Sequence, residues 1–259
     1  MLALLAAVQF LTRIPIPLRI PFEDQLLSRS TVYFPFVGSI IGALLAAVTY
    51  LTVNLFPDYI AALLVLAFWI AITGALHLDG LLDSADGLLS SRSREDMLSI
   101  MKDSRIGAMG TVVAIVYITL KIALIYALLN QYTLQMMGLL LVMLPMFSRW
   151  TMVVSMAMSP TARVNQGLAS SYKGTRGRQL LLATCVLIAI LFFLVSFFIP
   201  LTTDWLYLLL ALFVTSLTVC LCFSFYCYRK IGGMTGDTFG ALNEIVELAL
   251  LLILTAKVW

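Results

Sequence analysis

Residues 106–130 read IGAMGTVVAIVYITLKIALIYALLN, a run interrupted by one charge, Lys121. A helix needs about 20 apolar residues to cross the hydrocarbon core of a bilayer. This run supplies them. The pattern recurs at residues 31–57, 59–78, 132–159, 179–203, 205–228 and 238–256. Arg149 is the one charge within 132–159, and the last run carries Glu244 and Glu247. The chain is therefore expected to be an all-α membrane protein, a polytopic bundle of about seven transmembrane helices forming one domain over 1–259. Residues 1–12 are apolar but too short to cross, which predicts a short N-terminal interfacial helix. They lack the basic start and small-residue cleavage site of a secretory signal.

Composition agrees. Hydrophobic residues make up 62% of the chain and charged residues 11%, against about 25% charged in an average soluble domain. So few charges cannot coat a soluble globule of this size. A soluble enzyme, a disordered segment and a nucleic-acid binder are excluded, and the lipid bilayer is the expected partner. The four cysteines, Cys185, Cys220, Cys222 and Cys227, lie within or at the ends of apolar runs. They show no metal-ligand spacing and read as packing residues.

The charges that remain are strongly patterned. Four loops carry basic residues: Arg13, Arg19 and Arg29; Arg92, Arg94, Lys102 and Arg105; Arg163, Lys173, Arg176 and Arg178; Arg229 and Lys230. The three alternating turns, near Asp58, Gln131 and Asp204, carry none. Basic residues collect on the cytoplasmic side of membrane proteins, so the long loops are expected inside and the short turns outside. Lys257 and Trp259 then fall on the outer side.

The acids cluster as well. Residues 77–87 read HLDGLLDSADG. If the second spanning helix continues to Gly87, Asp79, Asp83 and Asp86 stand at i, i+4 and i+7 and share a face. Like charges on one face repel unless they are solvated, protonated or bridged by a cation. Carboxylate oxygens suit Mg²⁺ or Mn²⁺. Asp103 belongs to the same acidic segment. A second cluster, GDTFGALNEIVE at 236–247, holds Asp237, Glu244 and Glu247. At about 1.5 Å per residue, Glu247 would lie roughly 15 Å deeper than Asp237. Glu247 reads equally well as a functional group or as half of a buried ion pair with Lys121 or Arg149. His77, the only histidine, lies two residues from Asp79 and invites a metal-supporting or proton-transfer role.

Several stretches together carry a family resemblance: FLTRIPIP at 10–17, FPFVG at 34–38, TGALHLDGLLDSADG at 73–87, IMKDSRIG at 100–107, Ser148-Arg149 and GDTFGA at 236–241. In order and spacing the chain resembles the cobalamin synthase family, the adenosylcobinamide-GDP ribazoletransferases. The resemblance implies a multi-pass enzyme of the bacterial inner membrane with its active site toward the cytoplasm. It implies transfer of the adenosylcobinamide phosphate group to α-ribazole or its 5′-phosphate, with Mg²⁺, or Mn²⁺ in its place, and release of GMP. The implied metal ligands are Asp79, Asp83, Asp86, Asp103 and Asp237. Asp83, Asp86, Glu244 and His77 are the catalytic candidates, and Lys102, Arg105 and Arg149 are the candidates for holding phosphate. A homo-oligomer is compatible with the sequence.

Two rival readings use the same charges. A CDP-alcohol phosphotransferase of lipid synthesis also displaces a nucleoside monophosphate at a membrane-surface aspartate cluster. Its Asp-Gly is followed by Ala-Arg, however, where this chain has Asp83-Ser84. An ion-coupled transporter could relay ions through Lys121, Arg149, Glu244 and Glu247. The acids crowd one edge rather than line a path, which counts against it.

Overall fold

The computed structural model describes residues 1–18, 20, 23–163, 168–198 and 203–256. The expected positions of Arg19, Lys257 and Trp259 lie outside the described residues. The described chain is helical throughout, with an isolated parallel bridge between Thr161 and Met234. In order, the helices are α1 (Leu2–Leu11), α2 (Asp24–Ser30), α3 (Phe34–Val53), α4 (Asp58–Thr73), α5 (Leu76–Leu88) and α6 (Arg94–Ile100). They continue with α7 (Ala108–Gln131), α8 (Leu134–Met158), α9 (Leu168–Ser171), α10 (Gly177–Phe198), α11 (Thr203–Ile231) and α12 (Gly236–Thr255).

Six helices among the described residues are long and apolar enough to cross a membrane: α2 running into α3, then α7, α8, α10, α11 and α12. Counting α4 with α5 as one broken span makes seven, the number expected from the sequence. The short α1 packs Ala6, Ala7 and Leu11 against the bundle.

Depth of burial separates the centre of the bundle from its edge. In α8, 83% of the apolar window is buried inside the protein, against 17% in α10. The remaining face of α10 exposes Leu181, Ile188, Phe192 and Phe193. Such a surface is stable against lipid, where backbone polar groups are satisfied within the helix and apolar side chains meet acyl chains. The core lies where α3, α8 and α12 pack together, through Ile41, Leu140, Leu144, Val246 and Leu250.

The second span departs from expectation. It does not continue as one helix to Gly87. Gly74 and Ala75 both take left-handed conformations, with φ of 63° and 58°, and α5 leaves α4 at 90°. Glycine adopts that conformation freely, whereas alanine pays for it. A left-handed residue is also a common way to end a helix. The carboxylates therefore sit on a separate short helix, packed against α12 and α7, rather than on a straight continuation of α4.

Two glycines set how closely α5 crosses α12. A Cβ on Gly80 would come within 2.6 Å of the Asp237 backbone carbonyl oxygen, and one on Gly240 within 3.2 Å of the His77 backbone. Only hydrogen fits between these backbones, so the two acidic stretches, far apart in sequence, meet at one crossing.

Candidate active site at the helix crossing

Asp79 and Asp83 lie on α5, and Asp237 lies in the first turn of α12. The start of α12 is fixed by a reciprocal cap. The Thr235 hydroxyl accepts from the Thr238 backbone N–H at 3.2 Å, and the Thr238 hydroxyl accepts from the Thr235 N–H at 2.7 Å. Thr235 also donates its hydroxyl proton to Asp237 at 3.3 Å. The preceding loop is tied to the end of α8 by bonds from Ala162 N–H to the Met234 carbonyl (2.9 Å) and from Met234 N–H to the Pro160 carbonyl (2.8 Å).

Asp79, Asp237 and Asp86 all act on Asp83 as repelling like charges. Among the described residues no ion pair engages Asp79, Asp83 or Asp237. Arg163, at the loop after α8, stands close enough to Asp237 to attract it and anchors its guanidinium on the Leu98 carbonyl at 2.6 Å. Nothing in its sequence context separates Arg163 from residues that only anchor topology. Its relevance comes from the Thr161–Met234 bridge, which draws the two loops together.

Asp86 faces a different task. Its two oxygens accept the backbone N–H groups of Gly107 (2.7 Å) and Gly110 (2.8 Å). Gly107 is the N-cap of α7 and has no side chain to cap it, so a carboxylate from α5 serves instead. Negative charge at a helix N-terminus is favourable. The acid thereby docks the start of α7 against α5.

Asp103 and Arg105 pair with each other in an exposed loop. The Arg105 Nε–Asp103 Oδ1 distance is 2.9 Å and the Nη2–Oδ2 distance is 2.6 Å. The hydrogen bonds from Arg105 hold the Asp103 carboxyl down at about 2. Lys102 is exposed beside them. Among the described residues no group of three His, Cys, Asp or Glu side chains encloses an ion by itself, and Asp103 is not brought to the α5 face.

The deep charges form an assembly of their own, with His77 near enough to Arg149, Glu247 and Lys121 to feel their charge. Lys121 Nζ donates to Glu247 at 2.6 Å, to Glu244 at 3.1 Å and to the Tyr117 hydroxyl at 2.5 Å. Tyr117 donates to Glu244, and Arg149 Nη1 donates to Glu247 and, at 2.9 Å, to Ser148. Asn243 Nδ2 donates to both glutamates at 3.3 Å. Lys121 also sits 4.1 Å from the Trp69 ring centre. Two cations and two carboxylates cancel inside the bundle, and Arg149 and Glu247 are both 0% exposed. Arg149 and Glu244 are thus placed in this network and not on the acidic face. Of the two readings open for Glu247, the ion pair is the one observed. Tyr117, which the charge pattern could not single out, completes it.

A cavity opens at the crossing, lined by His77, Asp79, Gly80 and Asp237. His77 is buried, and neither ring nitrogen has a hydrogen-bond partner among the described residues.

Comparison with known proteins decides the family. A model of the cobalamin-5-phosphate synthase family matches residues 3–255. The chain belongs to this family. Cobalamin-5-phosphate synthase relatives include the adenosylcobinamide-GDP ribazoletransferase of Thermoanaerobacter pseudethanolicus, 37% identical over 96% of this chain and 95% of its own length. The protein of the same name from Brevibacillus brevis is 35% identical over 99% of both chains. That from Desulforamulus reducens is 37% identical over 93% of this chain and 91% of its own. No solved structure matches.

Proposed function

We propose that this chain is an adenosylcobinamide-GDP ribazoletransferase of the bacterial inner membrane, working at its cytoplasmic face. It would join adenosylcobinamide-GDP to α-ribazole, a dimethylbenzimidazole riboside, or to the 5′-phosphate of that riboside. Membership of a family whose relatives carry that name over nearly their whole length supports the reaction. The single structural observation that carries the site is the acidic face of Asp79, Asp83 and Asp237 at the α5–α12 crossing, which no ion pair engages among the described residues.

The donor set suits a hard divalent cation. Mg²⁺ keeps several waters and binds through one or two carboxylates plus substrate phosphates rather than in an all-protein cage. An open face of repelling carboxylates fits that mode. Asp79 and Asp237, which line the same cavity, would hold the ion together with substrate phosphate oxygens, and the ion when bound would neutralise pyrophosphate charge.

A ribose hydroxyl of α-ribazole attacks the phosphorus attached to cobinamide. An O–P bond forms, the P–O bond to GMP breaks, and GMP leaves with the electron pair. The hydroxyl proton passes to a carboxylate. Of the three candidates, Glu244 is committed to Tyr117 and Lys121, and both Asp86 oxygens accept backbone N–H groups. Asp83 has no ion-pair partner among the described residues, and we assign it the proton. Such a step is mostly positioning and charge neutralisation. Arg163, beside Asp237, supplies positive charge at the site.

The transporter reading loses its basis, because Lys121, Arg149, Glu244 and Glu247 close on one another instead of lining a path. The test is purified protein with adenosylcobinamide-GDP, α-ribazole and Mg²⁺, following GMP. Release dependent on both substrates and abolished by EDTA is expected. Metal-independent release would overturn the ligand assignment, and no release would overturn the function. Cysteine labelling should reach position 92 from inside and position 131 from outside, and the reverse would invert the topology.

A further inference from the structure

The cavity at the crossing is built of more than acids. It holds about 150 Å³, too little for a corrin and enough for one bicyclic ring. Its walls are Phe10, Met152, Met156, Tyr172 and Phe239. Tyr172 is held in place by aromatic contacts, 5.6 Å from the Phe10 ring centre and 6.1 Å from that of Phe34. It is 2% exposed, yet its hydroxyl has no hydrogen-bond partner among the described residues. His77 lines the same cavity in the same condition.

Buried polar groups are nearly always paired, and leaving one unpaired costs about 1–3 kcal/mol. Two such groups lining one small cavity, whose remaining walls are largely apolar, are accounted for if a ligand completes them. That ligand has a flat, mostly apolar body and few polar atoms.

We propose that this cavity is the subsite for the benzimidazole base of α-ribazole, with the Tyr172 hydroxyl and the His77 imidazole as its polar contacts. The proposal rests on the functional reading above and names the subsite that the reading lacks. The base offers one ring nitrogen outside the glycosidic bond, an acceptor for the Tyr172 O–H, and the ribose hydroxyls attached to it are what His77 would meet. Its dimethyl-substituted ring is otherwise apolar and suits edge or offset contact with Phe10 and Phe239 and sulfur contact with Met152 and Met156. The guanine of the other substrate carries donors and acceptors on several edges. Phe10, Met152, Met156 and Phe239 would leave most of those groups without partners, although Asp79 and Asp237 at the border could accept from some, so the dimethylated base fits the cavity better than guanine does. Asp79 and Asp237 border the cavity, and a base seated there directs its ribose toward the acidic face where the hydroxyl must react. Residues from α1, α5, α8, α12 and the loop after α9 all contribute, which gives the N-terminal helix a role in acceptor binding.

The test uses the purified full-length protein and two readouts, steady-state GMP release and equilibrium dialysis of α-ribazole alone. Tyr172→Phe removes one hydrogen bond without changing shape. It should raise KM for α-ribazole about five- to tenfold and leave KM for adenosylcobinamide-GDP unchanged. Met156→Trp fills the cavity and should abolish α-ribazole retention in dialysis. If Met156→Trp does not fold, the isosteric Tyr172→Phe still decides. An unchanged α-ribazole KM in Tyr172→Phe, or a rise confined to adenosylcobinamide-GDP, overturns the subsite while leaving the function standing. If the wild type retains α-ribazole and Met156→Trp does not, but no GMP is released, the subsite stands and the functional reading fails. No retention by the wild type overturns the subsite.

Discussion

Two groups of charges share this apolar bundle and differ in one respect. At the core, Lys121, Arg149, Glu244 and Glu247 neutralise each other, with Tyr117, Ser148 and Asn243 filling in hydrogen bonds. At the α5–α12 crossing, Asp79, Asp83 and Asp237 face one another with no ion pair among the described residues. Charges in a low-dielectric setting are costly unless paired. The core group balances its own charge without a ligand and acts as scaffold, although Arg149 Nε and Nη2 and Asn243 Oδ1 have no partner among the described residues. The crossing is incomplete, and what completes it must come from outside. In a chain this poor in charge, the absence of an internal partner marks function better than depth does.

Substitutions should separate the two regions. At the crossing, Asp79→Asn or Asp83→Asn should lower GMP release by about 10²–10³ or more with membrane insertion and thermal stability intact. EDTA should cause a comparable loss, restored by Mg²⁺ or Mn²⁺. Near-normal turnover of the variants at saturating Mg²⁺ would erase the distinction between the regions. In the core the signature reverses. Lys121→Met leaves buried Glu244 without a cation and Glu247 with Arg149 alone, and should cost about 3–5 kcal/mol of stability, read by thermal unfolding in detergent. Lys121→Met with Glu247→Gln should recover part of that loss. Additive losses would mean the two do not act as a pair.

Asp86 tests the boundary between the regions. Asp86→Ala removes the cap of α7 and should cost about 1–2 kcal/mol, with a smaller loss of turnover than Asp83→Asn. An equal loss of turnover at full stability would return Asp86 to the metal site. The smallest effect is expected at the exposed pair. Arg105→Gln should leave thermal stability unchanged and raise KM for adenosylcobinamide-GDP a few-fold at most. Its partner Asp103 is held at about 2, below the ordinary carboxylate range. Whatever the pair contributes is present above that range and fades only as pH falls toward the lowered value. Activity between about pH 5 and 8 should therefore carry no step from Asp103.

Much of this was legible in the sequence. Uncharged runs of spanning length mark the helices because the bilayer imposes a length, and they emerge close to where hydropathy puts them. The break between α4 and α5 was not legible. Gly74 inside an apolar run is tolerated in many helices, and nothing local announces that Ala75 would also turn left-handed. The i, i+4, i+7 spacing survives because it belongs to α5 alone. The meeting of Asp237 with Asp79 and Asp83 depends on a crossing that Gly80 and Gly240 permit, and single-sequence periodicity carries no such contact. Composition also could not divide the acids by task. Asp86 follows Asp79 and Asp83 in one motif, yet it turns to α7 because Gly107 offers no cap of its own. Tyr117 looks like an ordinary membrane tyrosine, and Tyr172 like one residue of a basic loop, until the groups around them are known.

The most direct measurement compares GMP release by two purified variants under identical Mg²⁺ and substrate conditions, Asp83→Asn from the crossing and Lys121→Met/Glu247→Gln from the core. The account predicts that the first, though as stable as wild type, releases almost no GMP, while the second, though less stable, retains turnover within about tenfold of wild type. A fully active Asp83→Asn beside an inactive but folded core double variant would contradict it and move the chemistry into the buried network.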